Sequence, residues 1–220
     1  MSTIAIIGGH GKVALLLEQL LSASGHNVLA IIRNDEHVAE VAATGATPVV
    51  ADVEHLDVPA MAEHLTGADA VVWSAGAGGG SPSRTYAVDR DAAIRSMNAA
   101  TTAGVQRYVM VSYFGASVDH GVPEDNSFFA YAEAKAAADE YLRGTGLEWT
   151  IAAPSRLTSD EPTGRIEING VDGAEVSAGE VTRGDVAAVI AALLQAPQSV
   201  GTMVQFNNGP TPIAEAIDQL

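Results

Sequence analysis

The chain has 220 residues, 47% of them hydrophobic and 17% charged, which is enough apolar material for one domain with a sizeable core and excludes disorder throughout. Its 27 acidic and 11 basic side chains give a formal charge of −16, so the basic footprint of a nucleic-acid-binding domain is missing and an anionic membrane surface would repel it. With no cysteine, disulfides, thiol catalysis and cysteine-ligated metals are excluded.

The N-terminus, MSTIAIIGGHG, has neither the basic flank nor the h-region of a signal peptide. No apolar run approaches the roughly 20 residues of a membrane-spanning helix. A cytoplasmic protein is expected. The first strand, Thr3–Ile7, runs into Gly8-Gly9-His10-Gly11-Lys12-Val13-Ala14, and a helix follows over Lys12–Ala23. Read from Gly9 the turn is G-x-G-x-x-A; read from Gly8 it is G-x-x-G-x-x-A. In either register the glycines allow close approach of the backbone to a pyrophosphate, and Ala14 is small enough for the helix to pack on the strand. The helix start offers unpaired N–H groups to the anion. A strand before and a helix after is the context that favours nucleotide binding over a plain turn.

The second strand, Asn27–Ile32, is followed by Arg33, where a dinucleotide site reads the ribose. A guanidinium there suits a 2′-phosphate, whereas a carboxylate would hold a free 2′-hydroxyl, so NADP is expected over NAD. Lys12 either assists or is solvated. The third strand, Thr47–Ala51, precedes Asp52, which reads equally as an acceptor for the adenine amino group or as a turn residue. The fourth, Ala70–Ser74, leads through Ser74-Ala75-Gly76, whose small side chains let a cofactor lie against the backbone. Residues 76–83 (GAGGGSPS) read as a flexible loop.

A helix over Asp89–Ala103 leads to a fifth strand, Arg107–Ser112. The helix Phe128–Arg143 carries Tyr131 and Lys135, whose spacing of four puts both on one face. A sixth strand, Glu148–Ala152, precedes a polar, glycine-containing stretch, Thr158–Val181, read as short irregular strands. The helix Arg183–Gln195, a strand Thr202–Asn207 and a short helix Pro212–Leu220 close the chain. Such alternation predicts the α/β class, a doubly wound parallel sheet with helices on both faces. One domain is expected over 1–220, with 154–181 and 202–220 as small substrate-side and C-terminal elements.

Ser112, Tyr131 and Lys135 form a candidate constellation for carbonyl chemistry. A tyrosine hydroxyl can give a proton to a carbonyl oxygen as hydride reaches the carbon. Its ordinary pKa is near 10, and a nearby cation such as Lys135 would lower it. Ser112 would hydrogen-bond and orient the substrate oxygen. The histidines are scattered without metal-ligand spacing, so no catalytic metal is expected. Trp73 and Trp149 read as core, Phe128 and Phe129 as helix packing more than pocket wall, and Asp185 as a first-turn stabiliser of its helix.

At this point the chain resembles the short-chain dehydrogenase/reductase superfamily, and within it the small atypical NAD(P)H-binding, epimerase/dehydratase-like members. The matching pieces span nearly the whole chain: IAIIGGHGKVA, HNVLAIIRN, the ADV after strand three, VVWSAGA, AGVQRYVMVS, YAEAKAAADEYLRGTGLEWTI, Pro154 and VTRGDVAAVIAALL. The resemblance implies a Rossmann fold, with Gly8, Gly9, His10, Gly11 and Lys12 near the phosphates and Arg33 near the 2′-phosphate. It implies Asp52 and Val53 by the adenine, Ala75 and Gly76 by the ribose, and Ser112, Tyr131 and Lys135 near the nicotinamide. Val13, Ser74 and Pro154 complete the expected cofactor-binding set.

Two departures stand out: Ala14 replaces a third glycine, and Ala153-Pro154-Ser155 stands where the family has Arg-Pro-Gly. The expected function is an NADP(H)-dependent oxidoreductase of a small carbonyl-type substrate. The alternatives are a non-catalytic NADP(H)-binding redox sensor and an epimerase-type isomerase with tightly held cofactor. A small molecule is the expected partner, with neither nucleic acid nor membrane, and a homodimer is open.

Overall fold

The computed structural model describes residues 1–78, 81–171 and 175–220. Its strands are β1 (Thr3–Ile7), β2 (Asn27–Ile32), β3 (Thr47–Val50), β4 (Ala70–Trp73), β5 (Arg107–Val111), β6 (Glu148–Pro154), β7 (Arg156–Thr158), β8 (Arg165–Ile168), β9 (Glu180–Thr182), β10 (Thr202–Asn208) and β11 (Thr211–Pro212). Its helices are α1 (Lys12–Ala23), α2 (Val38–Ala43), α3 (Val58–Leu65), α4 (Pro82–Thr85), α5 (Ala93–Thr102), α6 (Phe129–Arg143), α7 (Arg183–Leu194) and α8 (Ile213–Asp218), with a π-helical stretch, Tyr86–Ala92, joining α4 to α5.

The main sheet has the order β11-β8-β10-β6-β5-β4-β1-β2-β3. From β10 to β3 every pairing is parallel, and β8 and β11 add an antiparallel edge. This is the Rossmann-like α/β fold the alternation predicts. Strand order reverses between β1 and β4, and a crevice opens outside the carboxyl ends of the strands at such a point.

The period-two alternation of a strand sorts its side chains onto two cores. Ile4, Ile6, Val28, Ala30 and Ile32 face the layer of α1, α7 and α8, where Leu17, Leu21, Ile190 and Ile217 meet them. Ala5, Ile7, Val71 and Trp73 face α3, α5 and α6, against Met61, Met97 and Leu142. Full burial of each large aliphatic side chain contributes about 1.5–3 kcal/mol. Trp73 is fully buried, as read from the sequence, whereas Trp149 only leans on the core.

The strand Thr202–Asn208 is an integral member of the central sheet. Val204 and Phe206 are buried, and β10 pairs in parallel with β6. Two helices escaped the periodicity reading because they are short. The turn leading into α2 is capped by Asn34, which accepts from Glu36 N, and α3 is capped by Asp57, which accepts from Ala60 N. The helix expected from Asp89 begins earlier, at Pro82, under a Ser81 cap. Within the expected 76–83 loop, Gly79 and Gly80 lie outside the described residues, as do 172–174 within the expected irregular stretch. Among the described residues no helix is long and apolar enough to cross a membrane.

Candidate active site

The glycine turn sits at the end of β1. Gly8 has φ +89°, and a Cβ there would lie 2.6 Å from Ala75 Cα and N, so the turn and the loop after β4 touch backbone to backbone. Gly8 N and Gly9 N both donate to Ile31 O, and Gly11 N donates back to Gly8 O. Gly11 caps α1 without a side-chain acceptor, and the first turn of α1 carries no acid. Its leading N–H groups are therefore open to an external anion. Gly9 serves another purpose. It faces away from the crevice, where a Cβ would lie 2.7 Å from Ala30 Cβ and 3.0 Å from Glu18 Oε1.

The crevice is a cleft of about 920 Å³. Gly8, His10, Gly11, Lys12, Val13, Arg33, Asp52, Val53, Ser74, Ala75, Gly76, Ser112, Tyr131, Lys135 and Pro154 all line it. Every candidate residue except Gly9 is thus gathered at one place by strand ends far apart in sequence. At the β2 end, Arg33 is half exposed, with its guanidinium 3.9 Å from Glu54 Oε2. His10 and His37 stack there at 3.4 Å between ring centroids. Asp52 spends its carboxylate locally, accepting from Glu54 N and pairing with His55 Nδ1, the behaviour of a turn residue.

At the other end, α6 presents Tyr131, Lys135 and Asp139 at successive four-residue steps, one stripe of the helix. Lys135 is almost fully buried, and its Nζ donates to Val111 O at 2.6 Å. Ser112 Oγ donates to Asp139 Oδ2 at 2.5 Å, while Asp139 Oδ1 has no protein partner. Asp89, from the π-helical stretch, lines the cleft and accepts from Ala77 N. Gly76 leaves room for it: a Cβ on Gly76 would lie 3.0 Å from Asp89 Oδ1.

Burial raises the pKa of both carboxyls, against the pull of Ala77 N–H and Lys135 on Asp89 and of Lys135 and Ser112 on Asp139. Burial pushes the Lys135 ammonium down against the attraction of Asp139 and Asp89. Tyr131 is pushed well above its ordinary value by burial first, then by the charges of Asp89, Asp139 and Tyr113. The expected lowering by Lys135 does not appear: burial raises the phenol, and the two carboxyls beside the lysine add to the rise. The Tyr131 phenol therefore stays neutral.

Sequence reasoning missed Asp139, although its spacing from Lys135 repeats that of Lys135 from Tyr131. Asp89 gave no signal beyond a helix start. Phe128, expected to pack the helix, instead lines the cleft with 41% of its surface exposed. It joins Tyr113 and Tyr131 in a cluster with ring centroids 5.3–5.6 Å apart. Asp185 does stabilise the start of α7. It exchanges hydrogen bonds with Thr182 and accepts from Thr163 N, Gly164 N and Asn208. Burial alone would raise its pKa, but these donors hold it below the ordinary carboxylate value. Among the described residues no three His, Asp or Glu side chains gather as a metal site.

A family model described as NAD(P)H-binding matches residues 8–197. The chain is 31% identical over 219 residues to the Bacillus subtilis protein named uncharacterized sugar epimerase YhfK, covering 99% of each. Among solved structures, a candidate NAD-dependent epimerase/dehydratase from Bacillus halodurans superposes with a TM-score of 0.91 at 32% identity, over 100% of both chains. The oxidoreductase ylbE from Lactococcus lactis gives 0.87 at 34% identity, over 99% of this chain and 96% of that one.

Proposed function

The chain belongs to the NAD(P)H-binding family, and we propose that it is an NADP(H)-dependent oxidoreductase of a small carbonyl-type substrate. The observation that carries this reading is one continuous cleft. It joins the glycine turn, with its free helix N–H groups, to the stripe of Tyr131 and Lys135 beside Ser112. Its volume suits a small-molecule site, at the upper end of the usual range. The backbone contact at Gly8, which no side chain could share, fits a pyrophosphate lying over the turn. Gly8, Gly11, Lys12 and Val13 would hold the phosphates, Arg33 the 2′-phosphate, and Ser74, Ala75, Gly76 and Pro154 the rest of the dinucleotide. The cofactor, when bound, supplies or accepts hydride.

The remaining work falls to this chain. In reduction, Tyr131 gives its phenolic proton to the substrate oxygen as the carbon is reduced, and its raised pKa keeps that proton in place until then. Lys135, one helical turn away, carries the positive charge that stabilises the phenolate left behind. Its bond to Val111 O keeps it from swinging into the cleft. Ser112 gives its single proton to Asp139, so its lone pairs can accept only from a hydroxyl, as in the alcohol formed by reduction, and donation to the carbonyl oxygen is left to Tyr131.

The test is a titration of the purified protein with NADPH and NADH by nicotinamide fluorescence, followed by a carbonyl panel. Tight NADPH-selective binding with turnover is expected. Tyr131→Phe should lower kcat by about 10²–10⁴ while leaving NADPH affinity within two-fold. Retained turnover removes Tyr131 from the mechanism. Binding without any turnover would favour the redox sensor.

A further inference from the structure

The proposed mechanism leaves two cations of the cleft without a task, Arg84 and Arg183, and of these Arg84 is already paired with Glu54. Arg183 opens α7 and lines the cleft with Ser155 and Leu157, on the side of the β6 end. Its Nη1 donates to Thr158 O at 2.8 Å and to Ser159 Oγ at 2.9 Å. Among the described residues no carboxylate lies within 4.0 Å of it, and its Nε and Nη2 make no hydrogen bond. Arg33 and Arg84, the other cleft guanidiniums, both share Glu54. Arg183 is thus an oriented fork with one edge fastened to neutral oxygens and the other unused. A planar pair of N–H donors of this kind matches a carboxylate in two-point contact.

The protein carries a net charge of −16, so its overall field would keep an anion away, and capture must come from a placed cation. The same cleft is lined by the cluster of Tyr113, Phe128 and Tyr131, whose faces suit a flat unsaturated body.

We propose that Arg183 anchors the carboxylate of the substrate, which is an aromatic or conjugated carbonyl compound bearing an acid group remote from the reacting carbonyl. This inference rests on the oxidoreductase reading and names its substrate class. The carbonyl would meet Tyr131, the flat body the aromatic cluster, and the acid the free edge of Arg183.

A dead-end complex tests it without turnover. Protein saturated with NADP⁺ is titrated calorimetrically with 4-carboxybenzaldehyde and with its methyl ester, a neutral compound of nearly the same shape. The acid should bind at least ten-fold more tightly, as a charge-assisted pair predicts. Arg183→Met, which keeps the apolar stem, should abolish that preference, leaving the ester and NADP⁺ within two-fold of wild type. Arg183→Lys should retain part of the preference, since it keeps the charge and loses the fork.

Equal binding of acid and ester to the wild type, or binding of neither, overturns the assignment even if every variant misfolds. A ten-fold or greater loss of NADP⁺ affinity in Arg183→Met would also overturn it, because Arg183 would then be holding cofactor phosphate. Failure of the wild type to bind NADP⁺ at all refutes the cofactor reading and takes this inference with it.

Discussion

Glycines with the same backbone sign do different work here, and the difference can be measured. Gly8 and Gly25 both have positive φ, +89° and +82°, but only Gly8 has backbone atoms where a Cβ would go. Gly25→Ala meets open space and carries only the conformational term, about 1 kcal/mol. Gly8→Ala adds a clash with Ala75 that no rotamer change relieves, for a total loss of roughly 2–5 kcal/mol. Urea denaturation of the two variants checks the gap; equal losses would mean that the β1 and β4 loops separate easily. At this scale the sequence was informative about which residues meet at the cleft, as at the glycine turn, Tyr131 and Lys135. It was silent on charge balance. Nothing in the motif reveals that Asp89 and Asp139 flank Lys135, because that depends on a π-helical stretch and a strand end folding over one helix face. The rise of the Tyr131 pKa, set by burial first and by these carboxyls second, was therefore unreadable from spacing.

Strands were legible almost to the residue, since β1, β2, β4 and β5 are buried on both faces and read as unbroken apolar runs. The antiparallel edge of β8 and β11 was not, because short strands of mixed polarity carry no period. Among the helices, α1 holds a polar group that its apolar pattern hides. Glu18 is fully buried beneath Gly9; its Oε2 accepts from Thr44 Oγ1 while Oε1 has no partner. Burial raises its pKa to about 7, against the lowering pull of Thr44. A carboxyl whose folded pKa is raised above its unfolded value favours the folded state below the unfolded pKa, and that advantage is lost as pH climbs through about 7. Glu18→Gln should therefore melt roughly 2–4 °C above wild type at pH 8.5, a difference of about 1 kcal/mol in a domain of this size, and the gap should close by pH 5. A gap that persists unchanged at pH 5 would show that Glu18 is already ionised in the folded protein at that pH, or that the amide repacks.

At the scale of the whole molecule, the cleft lies where the sheet divides into two halves, β1–β3 on one side and β4 to β10 on the other. Arg33 and Asp52 stand on the first half, and Ser112, Tyr131 and Pro154 on the second. A dinucleotide spanning them ties the halves together, so binding should register as global stability. At a free concentration 100 times Kd a ligand adds about 2.7 kcal/mol, which for this chain length corresponds to a rise in Tm of about 5–10 °C. NADPH at a fixed millimolar concentration should shift Tm by more than NADH at the same concentration. Arg33→Ala should reduce the NADPH shift to that of NADH and leave the NADH shift alone. An equal loss for both cofactors would place Arg33 on a group they share, and an NADPH advantage that survives the substitution would move the 2′-phosphate to the stacked pair His10 and His37. The discrimination is worth measuring because Arg33 does not stand free. Glu54 lies 3.9 Å from it and 3.3 Å from Arg84 Nε, so a 2′-phosphate must compete with a carboxylate for the same guanidinium. Replacing that partner is more favourable for a dianionic phosphate than for a neutral hydroxyl, so the preference for NADPH should weaken as salt screens the contact.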